Sequence, residues 1–158
     1  MAQHQNPCEI CERIEQVERG EHPGFIMETA TGIAVLGDSQ FFRGYSLLLC
    51  KTPATELHEL PPDIKTRYLE EMSLLAQAVY NVTNCYKINY EMLGNQVHHL
   101  HFHIFPRYAN EENILKPVWL FQPQGEEAER YKLNVERDAL LIEKLREELQ
   151  KLLIEPRA

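Results

Sequence analysis

The residues of this sequence that can do chemistry are concentrated in the short segment 98–103. Four of the chain's seven histidines fall within these six positions. His99, His101 and His103 alternate with apolar residues, and successive side chains of a β-strand point to opposite faces. The segment therefore predicts a half-buried strand that carries three imidazoles on one face. Pro106 is expected to end this strand, because proline cannot donate to the backbone ladder.

This row of imidazoles is compatible with more than one kind of site. An unperturbed imidazole titrates at about 6.5, so each ring can be a nucleophile, a proton donor or acceptor, or a metal ligand. A solvated polar face is the simplest interpretation, and a zinc site made by the three histidines is another. Imidazoles two positions apart on a strand are separated by roughly 7 Å, and three ligands on one flat strand close poorly around a tetrahedral ion. The spacing better fits a phosphoryl group and its neighbours.

The elements that position these histidines can be predicted from the spacing of apolar residues. Helical periodicity predicts three helices, at residues 8–17, 61–84 and 135–153. Short apolar runs bounded by turn residues predict strands at 25–28, 32–37 and 45–50, and a further strand that begins at 87. We therefore expect an α+β fold, with a mainly antiparallel sheet of about five strands, a long helix on one face and terminal helices.

Two of the predicted helices also carry polar residues whose positions can be tested. The long helix is expected to turn its polar face to solvent, with Thr66, Arg67, Glu70 and Glu71 on it. The last helix has leucines on one side and pairs of opposite charge at helical spacing on its surface. We expect it to pack either on its own domain or on a partner protomer.

The size and charge of the chain limit its possible functions. It has 158 residues and a formal charge of −8, from 24 acidic and 16 basic residues. We expect a single domain over residues 1–158, with a core at about 8–119 and a C-terminal helical extension at about 134–154. The acidic balance predicts no nucleic-acid partner. Because no apolar run of about 18 residues occurs and residues 1–6 lack a signal-peptide pattern, we predict a cytoplasmic protein with no membrane partner.

The segment from His99 to Phe105, with one apolar residue between successive histidines, resembles the signature of the histidine triad (HIT) family of nucleotide hydrolases and transferases. The residues before it, from Asn89, and the Pro-Arg-Tyr after it are also similar to that family. The similarity runs from about Cys8 to Trp119, and it is strongest to the bacterial diadenosine polyphosphate hydrolase-like members. The resemblance implies a HIT-like fold and a homodimer in which two sheets are joined side by side.

The resemblance further implies a nucleotide-binding hydrolase or nucleotidyl transferase that acts at the α-phosphate of adenosine-type nucleotides. Dinucleoside polyphosphates and nucleoside phosphoramidates are the expected purine nucleotide substrates. His101 would form a covalent nucleotidyl-imidazole, His103 would donate to a non-bridging phosphate oxygen, and His99 would orient the ring or line the leaving-group side. Catalysis would require no cofactor. A nucleotide-binding module with little turnover is one alternative, and a zinc-binding protein is another.

The same resemblance assigns five nucleotide-binding residues. It implies that Asp38 holds the ribose hydroxyls, that Ile10 and Leu36 contact the base, and that Asn89 and Gln96 contact the phosphate or the leaving group. Each residue type also has a simpler interpretation. An aspartate after a strand often forms a turn, apolar residues usually belong to the core, and amides often cap backbone groups.

The two N-terminal cysteines suggest a structural zinc ion. Cys8 and Cys11 have the C-x-x-C spacing that supplies two of four zinc ligands. By resemblance to bacterial members of the family, such a site would be completed by the first triad histidine, His99, and by a histidine from a Lys-x-His segment. Pro53 stands at that last position here. Ordinary buried cysteines are the alternative, and the four cysteines of the chain are predicted to be reduced thiols.

Overall fold

The computed structural model describes residues 7–154, so the N-terminal residues 1–6 considered for a signal pattern lie outside it. Within this range the chain forms four α-helices and five strands. In order these are α1 (Glu9–Glu18), β1 (Phe25–Glu28), β2 (Gly32–Leu36), β3 (Ser46–Cys50), α2 (Pro62–Thr83), β4 (Lys87–Glu91), β5 (His101–Arg107), α3 (Glu126–Glu129) and α4 (Val135–Ile154). Among these described helices, none is both long and apolar enough to cross a membrane.

The five strands form one antiparallel sheet in the order β1-β2-β3-β5-β4. The predicted α+β fold with a five-stranded antiparallel sheet is confirmed. The histidine strand, β5, lies inside the sheet between β3 and β4. Its register places Leu49 opposite His101 and Leu47 opposite His103. Because β5 is paired on both sides, its backbone is held firmly and its side chains have defined directions.

Two details of the histidine strand differ from the sequence prediction. His99 precedes β5, which begins at His101, and Pro106 lies inside the strand opposite Ile88 of β4. The ladder between β3 and β5 ends at the pair Ser46–Ile104. Pro106 therefore lies beyond the last β3 partner, where the missing N–H of proline breaks no bond to that strand.

One face of the sheet packs against α2. Pro62 is its first residue, as helix geometry favours, and Asn84 ends it in the left-handed conformation with φ 51°. Glu71 was predicted to face solvent, but its side chain is fully buried. It accepts hydrogen bonds from the hydroxyls of Thr29 and Thr31, both at 2.6 Å, and from Arg67 Nε at 2.9 Å. The carboxylate thus attaches the helix to the turn between β1 and β2.

The C-terminal helix α4 packs on its own chain. Leu145 and Leu149 are fully buried in the core shared with α2. Arg146 Nε donates to the carbonyl oxygen of Ile26 in β1 at 2.7 Å. The buried carboxylate of Asp138, near the start of α4, forms an ion pair with Arg43. The first of the two predicted placements, packing within the same domain, is therefore confirmed.

The opposite face of the sheet is covered at one end by α1. Cys8 caps this helix by accepting from the backbone N–H of Cys11, and Gly20, with φ +71°, follows its end. A second apolar cluster joins α1 to the sheet, and its buried members are Cys8, Ile10, Ile33, Val35, Leu47 and Leu49. Since Leu47 and Leu49 are the register partners of the histidines, α1 lies beside the imidazoles.

Candidate active site

A cleft of about 510 Å³ opens on the face of the sheet that carries α1. It lies between α1, the end of β2, β5 and the segment that precedes β5. Five of the residues predicted from the sequence line it: Ile10, Asp38, Gln96, His101 and His103. The fold therefore brings two triad histidines and three predicted nucleotide-binding residues to one concave surface, which is the usual form of a small-molecule site.

His101 is held in one tautomer by its own backbone neighbour. Its Nδ1 lies 2.7 Å from the carbonyl oxygen of His99. A carbonyl oxygen only accepts, so Nδ1 carries the proton and the neutral ring keeps an unprotonated Nε2. Burial lowers the pKa of His101, which keeps the ring neutral near pH 7. The result is a buried imidazole with a fixed orientation and one nucleophilic nitrogen.

His103 is hydrogen-bonded to Tyr45 through its Nδ1. The Tyr45 hydroxyl lies 2.6 Å from Nδ1 of His103. Burial raises the pKa of Tyr45, so the phenol keeps its proton and is able to donate it to Nδ1. Burial, with a smaller contribution from His101, lowers the pKa of His103 to about 4. When the phenol donates to Nδ1, the neutral ring carries its proton on Nε2, and that atom is a hydrogen-bond donor.

Aromatic rings hold the His103–Tyr45 pair in place. Tyr45 stacks on Phe105 with the ring centroids 4.0 Å apart. Trp119 meets His103 edge to face, with centroids 5.4 Å apart, and its indole N–H donates to Glu91. A Cβ added at Gly37 would lie 2.2 Å from the Tyr45 ring. Only glycine therefore leaves space for this ring at the end of β2.

His99 points away from the cleft and toward the cysteines. Its Nδ1 lies 3.5 Å from Cys8 Sγ and 3.4 Å from Cys11 Sγ. Its Nε2 donates to the carbonyl oxygen of Cys50 at 2.7 Å, which leaves the lone pair on Nδ1. The side chain of His99 is 1% exposed. The contribution of His99 to the cleft is thus its backbone carbonyl, which orients His101.

The Cys8–Cys11–His99 cluster fits a zinc ion. Its three ligand atoms lie within 4.8 Å of one another. Zn–S bonds of about 2.3 Å and a Zn–N bond of about 2.0–2.1 Å at a tetrahedral angle separate S and N by about 3.5 Å. The observed Sγ–Nδ1 distances match this value. Among residues 7–154 the cluster comprises these three His and Cys ligands.

Asp38 lies in the cleft wall and is paired with Arg13, which the sequence analysis did not identify. Arg13 Nη1 donates to Asp38 Oδ1 at 2.9 Å and Nη2 to Oδ2 at 2.5 Å. Arg13 also donates to Glu9, one turn earlier in α1. The Arg13 hydrogen bonds hold the pKa of Asp38 below its ordinary value. The Glu9–Arg13 spacing was visible in the sequence, but the pairing with Asp38 depends on the fold.

Two predicted binding residues lie outside the cleft. Leu36 is fully buried in the core on the α2 side of the sheet, so its predicted contact with a base is corrected. Strand alternation explains the error, because Val35, not Leu36, faces α1. Asn89, whose partner on β5 is Phe105, accepts from Arg107 Nη1 at 2.7 Å. This hydrogen bond joins β4 to the last residue of β5.

Comparisons with known proteins relate the chain to one domain family. A HIT domain model matches residues 19–110. The chain is 27% identical over 141 residues to adenylylsulfatase HINT3 of Arabidopsis thaliana, covering 85% of this chain and 65% of that protein. It is 26% identical over 110 residues to adenosine 5′-monophosphoramidase HNT1 of Saccharomyces cerevisiae, covering 68% of this chain and 67% of that one.

The fold also matches solved structures. A histidine triad protein from Marinobacter aquaeolei VT8 superposes with a TM-score of 0.71 at 26% identity, covering 85% of this chain and 95% of that chain. The family match spans more than half of the 158 residues and includes the whole histidine segment. Together with the five-stranded sheet and the imidazoles of His101 and His103 in the cleft, this match shows that this chain belongs to the HIT domain family.

Proposed function

We propose that this protein hydrolyses or transfers a nucleotidyl group at the α-phosphate of a purine nucleotide, through a covalent intermediate on His101. One observation carries the proposal. The hydrogen bond from His101 Nδ1 to the His99 carbonyl, at 2.7 Å, leaves an unprotonated Nε2 on a neutral ring that lines the cleft. A neutral nitrogen attacks without first losing a proton, and covalent catalysis divides one difficult displacement into two easier ones.

The two triad histidines in the cleft would divide the chemistry between them. His101 Nε2 attacks the α-phosphorus, a P–N bond forms, and the bond to the leaving group breaks with its electron pair on that group. His103 Nε2–H donates to a non-bridging oxygen as negative charge grows there. Water or another acceptor then attacks the phosphorus, and His101 leaves as the neutral imidazole. The alternating tautomers of the two rings supply one nucleophile and one donor.

The remaining cleft residues fit the nucleoside and phosphate parts of such a substrate. Asp38, at the mouth of the cleft, would accept hydrogen bonds from ribose hydroxyls. Ile10 offers an apolar surface to the base, and Gln96 offers an amide donor to the phosphate or the leaving group. These residues line the same cleft as the nucleophilic histidine.

An assay on a panel of substrates identifies the leaving group. Two relatives are named as an adenylylsulfatase and an adenosine 5′-monophosphoramidase, so adenylyl sulfate and adenosine 5′-monophosphoramidate are the first compounds to test. A dinucleoside polyphosphate presents the same α-phosphate and belongs in the panel, as predicted from the sequence. The assay measures AMP release with and without inorganic phosphate, because phosphorolysis would yield a different product from hydrolysis.

The matched controls for this assay are two histidine variants. His101→Ala removes the attacking atom, so AMP release should fall to the background rate while nucleotide binding persists. His58→Ala changes an exposed histidine in the loop before α2 and should keep the activity of the unaltered protein. A protein that binds AMP tightly but releases none from any compound in the panel would instead be a binding module, and the enzymatic proposal would fail.

We further propose a structural zinc ion at Cys8, Cys11 and His99. The Sγ–Nδ1 distances and the hydrogen bond from His99 Nε2 to Cys50, which orients the ring, support it. The metal would attach α1 to the segment before β5, and no catalytic step passes through it.

We also propose the homodimer that the family resemblance implies. Because α4 packs on the edge strand β1, we expect two sheets to pair side by side through the other edge strand, β4. Light scattering measures whether the protein is a dimer.

A further inference from the structure

Arg13 lies on the surface helix α1, and its side chain lines the cleft. Its guanidinium contacts two carboxylates at once. Nη1 and Nη2 donate to the two oxygens of Asp38, at 2.9 and 2.5 Å, while Nε and Nη2 donate to Glu9 at 3.2 and 2.7 Å. The Arg13 side chain is 21% exposed, whereas that of Asp38 is 64% exposed. The less exposed guanidinium of Arg13 therefore holds the more exposed carboxylate of Asp38 in one orientation.

We propose that Arg13 is a positioning residue that makes Asp38 selective for a ribose diol. The inference rests on the proposed function, in which Asp38 binds the ribose of a nucleotide. An ionised carboxylate has about four lone-pair sites on its two oxygens. Arg13 uses one site on each oxygen, so each oxygen keeps another for a hydroxyl. Held in this way, Asp38 offers two acceptors in fixed positions to two adjacent hydroxyl groups.

The cavities on either side of the ion pair explain why the carboxylate needs to be held. Glu9, Arg13 and Asp38 line both the main cleft and a second cavity of about 280 Å³ that also contacts His22. The Arg13–Asp38 ion pair therefore separates the main cleft from the second cavity. Without Arg13, the Asp38 side chain could rotate into the second cavity and leave the ribose position. Groups that are fixed before binding lose less freedom on binding, so they bind more tightly.

Charge and shape have separable effects at this site. Arg13 offsets the two carboxylates of Glu9 and Asp38, and without it both would repel an anionic nucleotide. Lysine at this position would keep the positive charge but lose the planar two-point contact. Arg13→Lys therefore tests the positioning of Asp38, whereas Arg13→Gln removes both the positioning and the charge.

The experiment measures calorimetric affinities of the full-length protein for AMP and for 2′,3′-dideoxy-AMP, which lacks the diol. The unaltered protein should prefer AMP by about tenfold or more, as hydrogen bonds to a charged group allow. Arg13→Lys should reduce this preference at least about threefold while leaving the affinity for the dideoxy compound nearly unchanged. Arg13→Gln should reduce the preference and also weaken both ligands. Arg19→Gln, which removes an exposed charge just after the same helix, should change neither affinity.

The outcomes separate this inference from the proposed function. If Asp38→Asn abolishes the preference for AMP but Arg13→Lys retains it, the ribose site stands and the role of Arg13 is wrong. Tighter AMP binding by either Arg13 variant would show that Arg13 competes with ribose, which overturns the inference. If the unaltered protein binds neither nucleotide, the proposed function fails and this inference fails with it. Binding of dideoxy-AMP by each variant confirms that its cleft is folded.

Discussion

The most informative single-atom change in the cleft is Tyr45→Phe, which removes only the hydroxyl that donates to His103. In the native protein this hydroxyl lies 2.6 Å from Nδ1, and the proposed mechanism requires it to donate there so that the ring proton lies on Nε2. Without it, Nδ1 loses its donor, and the proton is free to occupy either nitrogen. The fraction of molecules with a donor at Nε2 should therefore fall, while the nucleophile His101 is unchanged.

The expected loss of rate follows from this difference. Removing a transition-state donor outright costs about 10²–10³ in rate, which is the expectation for His103→Ala. Tyr45→Phe leaves the imidazole in place and part of its population in the active tautomer, so kcat should fall by about 10–10². The stack of ring 45 on Phe105, at 4.0 Å, survives the change. The free energy of unfolding should fall by only about 1 kcal/mol.

Two measurements check this prediction. Steady-state kinetics on the best substrate of the panel should show a lower kcat with little change in KM, because the lost interaction acts in the transition state. Nitrogen-15 NMR of the labelled imidazoles reports directly which ring nitrogen of His103 carries the proton. If Tyr45→Phe keeps the native kcat, or if its His103 remains wholly in the Nε2–H form, then Tyr45 does not control the tautomer and the reasoning is refuted.

Three further predictions concern stability and metal content. Glu71→Gln should cost about 1–3 kcal/mol in chemical denaturation, because the buried hydroxyls of Thr29 and Thr31 lose their charged acceptor, whereas Glu70→Gln on the exposed face should cost about 0.5 kcal/mol or less; equal costs would contradict the burial argument. Since the pKa of His103 is about 4 in the folded protein and about 6.5 when unfolded, the unfolded chain binds more protons between these values. Stability should thus fall as pH drops from about 6.5 to about 4, and His103→Gln should reduce that slope. Untagged protein should contain close to one zinc per chain and lose it on replacement of Cys8 and Cys11 by serine, with a lower Tm; equal zinc in both proteins would exclude this site.

Local patterns in the sequence were sufficient to predict the helices and strands and to place His101 and His103 on one face of the sheet. Period-two alternation predicted His99, His101 and His103 on one face of a strand. His101 and His103 lie on β5 opposite Leu49 and Leu47, whereas His99 precedes the strand and its ring points toward the cysteines. Helical spacing located α1, α2 and α4 to within a residue or two. These predictions succeed because they depend on side-chain direction along a single element, which backbone geometry determines without reference to the rest of the chain.

The errors arose where one element meets another. Leu36 was assigned to the cleft, but the alternation of β2 turns it to the α2 side, and Asp38 reaches the cleft only after the turn at Gly37. Glu71 sits among exposed residues of α2 in sequence, yet the turn between β1 and β2 covers it. Arg13 meets Asp38 across a separation of 25 residues. No single-element pattern encodes such contacts, since tertiary packing decides them.

The central claim, a covalent nucleotidyl group on His101, is tested most directly by trapping it. Substrate labelled at the α-phosphorus is mixed with the protein, the reaction is stopped by denaturation, and the acid-labile adduct is located by mass spectrometry of the histidine-containing peptide. The label should lie on His101, and His101→Ala should form no adduct although it still binds nucleotide. A label on His103, or a fully active protein that never carries the label, would contradict the account and indicate direct attack by water instead.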